Sequence, residues 1–121
     1  LPALLAEADT VSLHVPLTDS TRGMIGAAEL DQMKATGFLI NTARGGIVDN
    51  EAVATRLRDG KLGGAALDVF EGEPLSAEQA FPLRDAPNLI LTPHIAGLTD
   101  EALDRVSTVT VSNVLRVLEG G

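Results

Sequence analysis

Four short apolar runs recur along the chain, and polar or turn-forming residues bound each of them. They cover Thr10 to Val15, Phe38 to Asn41, Gly64 to Val69 and Asn88 to Leu91. Runs of this length and composition predict buried strands. Because apolar residues fall on both faces of the runs, we expect a sheet buried between two layers of helices.

Segments with helical spacing of apolar positions alternate with these strands. The predicted helices are Pro2 to Glu7, Ala27 to Met33, Asn50 to Arg58, and a long C-terminal helix capped by Thr99 or Asp100. Asp49 is the expected N-cap of the third helix and Gly60 its stop. The last helix has an apolar face that consists of Leu103, Val106, Val109, Val114, Leu115 and Leu118.

The alternation of strands and helices predicts βαβ units and therefore an α/β fold with a parallel sheet. In open sheets of this kind, ligands bind beyond the carboxyl ends of the strands. The residues that directly follow each strand are therefore the first candidates for a functional site.

Composition and charge exclude several classes of partner. The 121 residues suffice for one domain, and 17 acidic against 9 basic residues give a formal net charge of -8. Such a chain, with three Phe and no Tyr or Trp, is a poor nucleic-acid binder. It has no Cys and two widely separated His, which argues against thiolate chemistry and a metal site.

The ends and the hydropathy of the chain give two further expectations. No apolar run approaches the roughly 20 residues that span a bilayer, so we expect a cytoplasmic protein with no membrane partner. Leu1 already falls in a predicted helix. We therefore expect the chain to be a fragment of a longer protein.

Arg44 and His94 are the ionisable residues best placed for catalysis. Arg44 follows the second strand, and its planar fork matches a carboxylate with two parallel hydrogen bonds. His94 follows the fourth strand, and an imidazole takes and returns a proton near neutral pH. The alternatives are a surface or helix-capping arginine and a hydrogen-bonded structural histidine.

Acidic residues follow the third strand. Glu73 is a candidate to orient the imidazole of His94, with Glu71 as its rival and a solvated acidic turn as the alternative for both. Asp68 ends an apolar run, so its carboxylate needs hydrogen-bond partners if it is buried. His14 is interpreted mainly as a packing position that lines a nucleotide cleft.

Four segments together resemble one family. In order and spacing they are similar to segments of the NAD-binding domain of the D-isomer-specific 2-hydroxyacid dehydrogenases, which include phosphoglycerate dehydrogenase. The four segments are LHVPLTDSTRGMI, INTARGGIVDNEAV, GGAALDVFEGEP and NLILTPHIAG. The similarity runs from about Leu4 to Val117. It implies the second half of a Rossmann-type, doubly wound parallel sheet over residues 1–97. Residues 98–121 would form a helix that leads back toward a substrate domain.

The resemblance implies a role for individual residues. Arg44 matches the arginine that grips the substrate carboxylate, His94 the catalytic acid and base, and Glu73 its partner. Asp68 matches the acid that contacts the nicotinamide carboxamide. The positions expected to contact the cofactor are His14, Val15, Pro16, Thr21, Thr42, Ala43, Arg44, Asp68, His94, Ala96 and Gly97.

The implied reaction is reversible hydride transfer between NAD and a small 2-hydroxy or 2-keto acid, with NADP left open. Glu73 stands where a formate dehydrogenase would carry Gln, which argues against formate. The family's GxGxxG turn precedes these motifs and is absent from the chain. We therefore expect the 121 residues alone to bind NAD weakly and to be inactive. We expect the whole enzyme to be a homodimer or another homo-oligomer.

Two other classes of function remain open at this stage. One is a dinucleotide-sensing scaffold similar to the C-terminal-binding corepressors, which share this fold. The other is an α/β structural or regulatory domain without activity.

Overall fold

The computed structural model describes residues 1–120, except for the side chains of residues 79 and 81. Five helices and four strands alternate along these residues. The helices are α1 (Pro2–Glu7), α2 (Ala27–Leu30), α3 (Asn50–Arg58), α4 (Ala77–Arg84) and α5 (Asp100–Leu118). The strands are β1 (Thr10–Leu13), β2 (Phe38–Asn41), β3 (Gly64–Leu67) and β4 (Leu89–Leu91).

The four strands form one parallel sheet in the sequential order β1-β2-β3-β4. Val11, Leu39, Ala65 and Leu89 are in register across it. This confirms the predicted α/β fold with a parallel sheet and a long C-terminal helix. Strands that follow one another outward are expected of the second half of a doubly wound sheet.

One face of the sheet carries the core. Val11 and Leu39 of this face are buried together with Leu5 of α1, Leu30 of α2 and Val53 of α3. Leu83 of α4 packs in a second cluster with Leu67 and Phe70. Helices α1 to α4 therefore all contribute to the core on this side.

The opposite face is open, so the expectation of a sheet buried between two helix layers is wrong for this chain. Phe38 is 50% exposed and Ile90 65% exposed, and both point away from the core face. Helix α5 has no buried residue, and its apolar face, including Val106 and Leu118, is exposed. Apolar patterning shows which surfaces favour burial, but not what covers them.

Several predicted boundaries shift for local reasons. The strands all end at the same row of the sheet, which consists of Leu13, Asn41, Leu67 and Leu91. Strands β1 and β3 therefore end two residues earlier than predicted. Helix α2 ends at Leu30, and the next turn is held by bonds between residues three apart. The predictions included no helix between β3 and β4, where the structure has α4; this helix contains Pro82, which removes a backbone donor.

Helix termini follow the predicted caps. The Asp49 side chain accepts a hydrogen bond from the Ala52 N–H at 3.0 Å, and Thr99 accepts one from Ala102 at 3.1 Å. Gly60 follows α3 with φ +66°, a left-handed conformation that suits glycine. The predicted span 98–121 contains α5; residue 121 lies outside the described residues. Within residues 1–120, no helix combines the length and apolarity needed to cross a membrane.

Candidate active site

The carboxyl ends of all four strands meet at one edge of the sheet. Because the strands are parallel and in register, the segments that begin at His14, Thr42, Asp68 and Thr92 all emerge there. These segments contain every residue that the sequence singled out for catalysis. The fold therefore brings together groups that are up to 50 positions apart in the chain, as with Arg44 and His94.

His94 and Glu73 form a hydrogen-bonded pair. The imidazole Nδ1 lies 2.6 Å from Glu73 Oε2, and the side chains are 47% and 31% exposed. The other oxygen of Glu73 accepts the Phe70 N–H at 2.6 Å. The bond to His94, followed by the bond from Phe70, lowers the pKa of the Glu73 carboxyl, because both stabilise its ionised form. Glu73, rather than Glu71, is the partner of the imidazole.

Asp68 holds the backbone around His94. Its carboxylate is 3% exposed and accepts hydrogen bonds from the Thr92 hydroxyl, the Ile95 N–H at 3.0 Å and the Ala96 N–H at 2.9 Å. Burial raises the pKa of Asp68, but these bonds outweigh it and the net pKa is lowered. The predicted need for partners is confirmed.

Asp68 also retains capacity for a further contact. Its Oδ2 accepts one bond from the chain, which leaves a second lone pair on that oxygen. The contact with a nicotinamide carboxamide that the resemblance implied stays a prediction.

Arg44 lies in a turn that a buried amide organises. Asn41 is 1% exposed; its Oδ1 accepts the Ala43 N–H and its Nδ2 donates to the Arg44 carbonyl, both at 3.1 Å. The Arg44 side chain is exposed, and its Nη1 donates to the Ala43 carbonyl at 2.7 Å. Asn41 was missed as a positioning residue, although a polar side chain that ends an apolar strand signals an anchoring role.

Gly45 permits the turn of Arg44 to approach the loop that carries Glu73. A Cβ atom at Gly45 would lie 1.9 Å from the Phe70 carbonyl oxygen, which is far inside van der Waals contact. Two glycines follow Arg44, and at Gly45 the missing side chain is what permits this close approach. Arg44, Glu73 and His94 consequently line a single cleft of about 300 Å³.

A second cleft of about 670 Å³ adjoins the first, with Arg44 and Leu17 lining both. Its lining includes five predicted cofactor positions besides Arg44, which are His14, Val15, Pro16, Thr42 and Ala43. Open space with mixed polar and apolar walls at the carboxyl edge fits the part of a dinucleotide near the reacting ring.

The remaining predicted cofactor positions have other local contacts. Thr21 is engaged within its own loop, where its hydroxyl donates to the Pro16 carbonyl at 2.6 Å and accepts the Thr18 N–H at 2.8 Å. Ala96 donates its N–H to Asp68, and the space where a Gly97 side chain would project is open. The Nε2 atom of His14 lies 2.9 Å from the Ser12 hydroxyl. Their cofactor contacts stay predictions.

A parallel sheet with adjoining clefts at its carboxyl edge defines an α/β domain of the nucleotide-binding, doubly wound class. The family model described as "D-isomer specific 2-hydroxyacid dehydrogenase, NAD binding domain" matches residues 1–96. The chain belongs to this family.

Individual relatives agree with this assignment. The chain is 56% identical over 118 residues to an (S)-sulfolactate dehydrogenase of Chromohalobacter salexigens, covering 98% of this chain and 38% of that protein. It is 48% identical over 120 residues to a glyoxylate reductase of Thermofilum pendens, covering 99% and 35%. The chain thus spans less than two fifths of the length of these curated relatives.

A solved structure shares the fold. The NAD-complexed form of a D-isomer specific 2-hydroxyacid dehydrogenase from Lactobacillus delbrueckii ssp. bulgaricus superposes with a TM-score of 0.90 at 36% identity. The similarity covers 100% of this chain and 40% of that chain.

Proposed function

We propose that this chain is the catalytic part of the NAD-binding domain of a cytoplasmic D-2-hydroxyacid dehydrogenase, which interconverts a small 2-hydroxy acid and its 2-keto acid. Membership of the family supports the reaction class. The observation that carries the proposal is the convergence of Arg44 with the hydrogen-bonded pair of His94 and Glu73 in one cleft.

Arg44 binds and orients the substrate. Its guanidinium is exposed to the cleft, and its fork-shaped set of donors matches the planar carboxylate that every 2-hydroxy acid carries. Anchoring that carboxylate fixes the neighbouring carbon, at which the reaction occurs. Holding two reacting groups at a fixed geometry lowers the activation free energy of the reaction, because their translational and rotational entropy is already lost when the substrate binds.

His94 moves the proton. Glu73 engages Nδ1, which leaves Nε2 as the ring nitrogen that exchanges a proton with the substrate oxygen. In reduction, the imidazolium gives its proton to the oxygen of the former carbonyl; in oxidation, the neutral ring takes the hydroxyl proton. The ionised carboxylate of Glu73 stabilises the imidazolium and holds the ring in place.

The nicotinamide group, when bound, would supply or accept the hydride. The cleft lined by His14, Pro16, Thr42 and Arg44 is the proposed place of that part of NAD. Its shared wall with the catalytic cleft supports this assignment, because hydride transfer requires the two ligands to be adjacent.

The test uses the full-length protein that carries this chain. We expect oxidation of NADH, measured alongside NADPH, in the presence of members of a panel of 2-keto acids. His94→Asn should lower kcat by about 10²–10⁴-fold, the usual contribution of a positioned acid or base. Arg44→Gln should lower kcat/KM without comparable loss of stability.

Lys34→Gln provides a matched control, because Lys34 forms an exposed ion pair with Asp9 at the opposite end of the strands. We expect it to leave the kinetics unchanged. Cofactor binding without turnover of any 2-keto acid would instead identify a dinucleotide-sensing scaffold. Turnover that survives His94→Asn would contradict the proposed proton transfer.

A further inference from the structure

A second arginine lines the catalytic cleft and has no part in the chemistry described above. Arg22 lies on the rim together with Arg44, Glu71, Glu73 and His94. It follows β1 in the chain, 22 positions before Arg44. The lining of the cleft therefore includes two arginines, whereas a substrate with a single carboxylate needs one.

The backbone fixes the position of Arg22 relative to the turn of Arg44. The Gly23 N–H donates to the Gly46 carbonyl at 2.8 Å. This bond joins the residue after Arg22 to the second residue after Arg44. Gly46 has φ +79° and no side chain, and Arg22 Nη1 lies 3.3 Å from where a Cβ atom would be. The loop that carries Arg22 is thus joined to the turn that carries Arg44.

The present partner of Arg22 is readily exchanged. Arg22 Nη1 contacts Glu71 Oε1 at 3.0 Å, through one nitrogen of the fork. The two side chains are 56% and 72% exposed. An ion pair this exposed contributes little to stability, so an incoming anion that binds more of the fork can replace it.

We propose that Arg22 determines specificity by binding a second anionic group at the far end of the substrate. The preferred substrates are then 2-hydroxy and 2-keto acids that carry a terminal carboxylate, phosphate or sulfonate. Arg44 binds the carboxylate next to the reacting carbon, and Glu71 releases Arg22 to the second anion. This inference rests on the proposed function and adds the substrate class.

The size and charge of the cleft support this assignment. The cleft of about 300 Å³ that the two arginines help to line is large enough for a small dianionic acid. Glu73 is committed to His94 and to the Phe70 N–H, so Glu71 is the carboxylate that competes directly for Arg22. Without a second anion on the substrate, Glu71 neutralises Arg22.

The test compares matched substrates in the full-length protein that carries this chain. Suitable pairs are oxaloacetate with 2-oxobutanoate, phosphohydroxypyruvate with hydroxypyruvate, and sulfopyruvate with pyruvate. Arg22→Gln should lower kcat/KM for at least one of the dianionic acids by about 10- to 100-fold, mainly through KM. The matching monoanionic acid should change by no more than about 2-fold.

Two further variants separate binding from a structural role. Arg22→Lys should restore part of the lost kcat/KM, because it keeps the positive charge. Glu71→Gln should raise kcat/KM for the dianionic acid, because it removes the competing carboxylate. Lys34→Gln, which alters an ion pair outside the cleft, should leave every ratio unchanged.

Four results would overturn the inference. In the first, Arg22→Gln lowers the rates of both members of every pair equally, which indicates that Arg22 only supports the loop. In the second, Arg22→Gln leaves kcat/KM unchanged for every dianionic and every monoanionic acid. In the third, the unaltered protein reduces no 2-keto acid, which also removes the proposed function. In the fourth, the unaltered protein reduces monoanionic acids alone, which removes only the inference.

Discussion

At the scale of single residues, Asp68 illustrates how a buried charge positions the group proposed to transfer the proton. His94 has φ +57°, a left-handed conformation that is unfavourable for residues with a side chain. The Asp68 carboxylate accepts hydrogen bonds from the amides of Ile95 and Ala96, which follow His94 directly. It also accepts one from the hydroxyl of Thr92, two positions before His94. These bonds hold the strained segment and so determine where the imidazole lies.

Asp68→Asn is the substitution that tests this role. The amide keeps one acceptor oxygen, but its NH₂ group would face a backbone N–H that now lacks an acceptor. We expect the free energy of unfolding to fall by about 2 kcal/mol, as for a lost hydrogen bond to a buried charge. Urea denaturation measures this loss, and Asp9→Asn, at an exposed ion pair, serves as the control. Equal stability of the two variants would contradict the positioning role.

The same substitution has a defined pH dependence. The folded-state pKa of Asp68 is lowered, so the unfolded chain binds its proton more tightly than the native protein does. The ionised carboxylate therefore contributes full stability above the unfolded pKa of about 3.9, and this contribution is lost as pH falls through the lower folded pKa. The stability difference between the parent protein and Asp68→Asn should accordingly shrink below about pH 4.

At the scale of elements, the contact between two loops decides whether the site is assembled. The turn after β2 carries Arg44, and the loop after β3 carries Glu73. Gly45 lies against Phe70 so closely that any side chain would overlap the backbone. The distance between Arg44 and the loop of Glu73 therefore depends on the absence of a side chain at Gly45.

Gly45→Ala should separate these loops. We expect a loss of stability of about 1–3 kcal/mol, typical of overpacking, and a larger relative loss of kcat/KM in the full-length protein. Gly26→Ala is the control, because a Cβ there would meet its nearest atom at 3.5 Å, an ordinary contact. A fully active Gly45→Ala variant would show that the loops need not approach so closely.

Elements that the sequence predicted well have a strong local signal. Helix α3 has the predicted bounds Asn50–Arg58, because Asp49 caps it and the buried positions recur with helical spacing. Helix α4 shows the opposite case: it was not predicted and contains Pro82, which disfavours a helix, yet Leu83 is buried beside Leu67. Tertiary packing there outweighed the local preference.

At the scale of the whole molecule, exposed apolar surface is concentrated on two elements. The open face of the sheet presents Phe38 and Ile90, and α5 presents a row of Val and Leu side chains. Strand β1 is the first in the sheet order, so its outer edge faces no strand among residues 1–120. Free strand edges and large apolar patches favour association.

We therefore expect the 121-residue chain to self-associate when it is prepared alone. Sedimentation velocity at micromolar concentrations measures this directly. Ile90→Lys, which places a charge on the open face, should reduce association, whereas Lys61→Gln, at an exposed position beyond α3, should not. A monodisperse monomer of the unaltered chain would contradict the prediction.

The pattern of residues was enough to predict the α/β fold, the order of most elements and the residue types that follow each strand. Hydrophobic periodicity and helix caps depend on residues that are close in the chain, so they can be recognised in the sequence. The resemblance already implied Glu73 as the partner of His94, and the structure shows the hydrogen bond between them. The tertiary structure alone decided that Asp68 anchors the segment around His94 and that Arg22 lines the same cleft as Arg44. It also decided that one sheet face is open. These features depend on which distant segments meet, and short-range pattern does not carry that information.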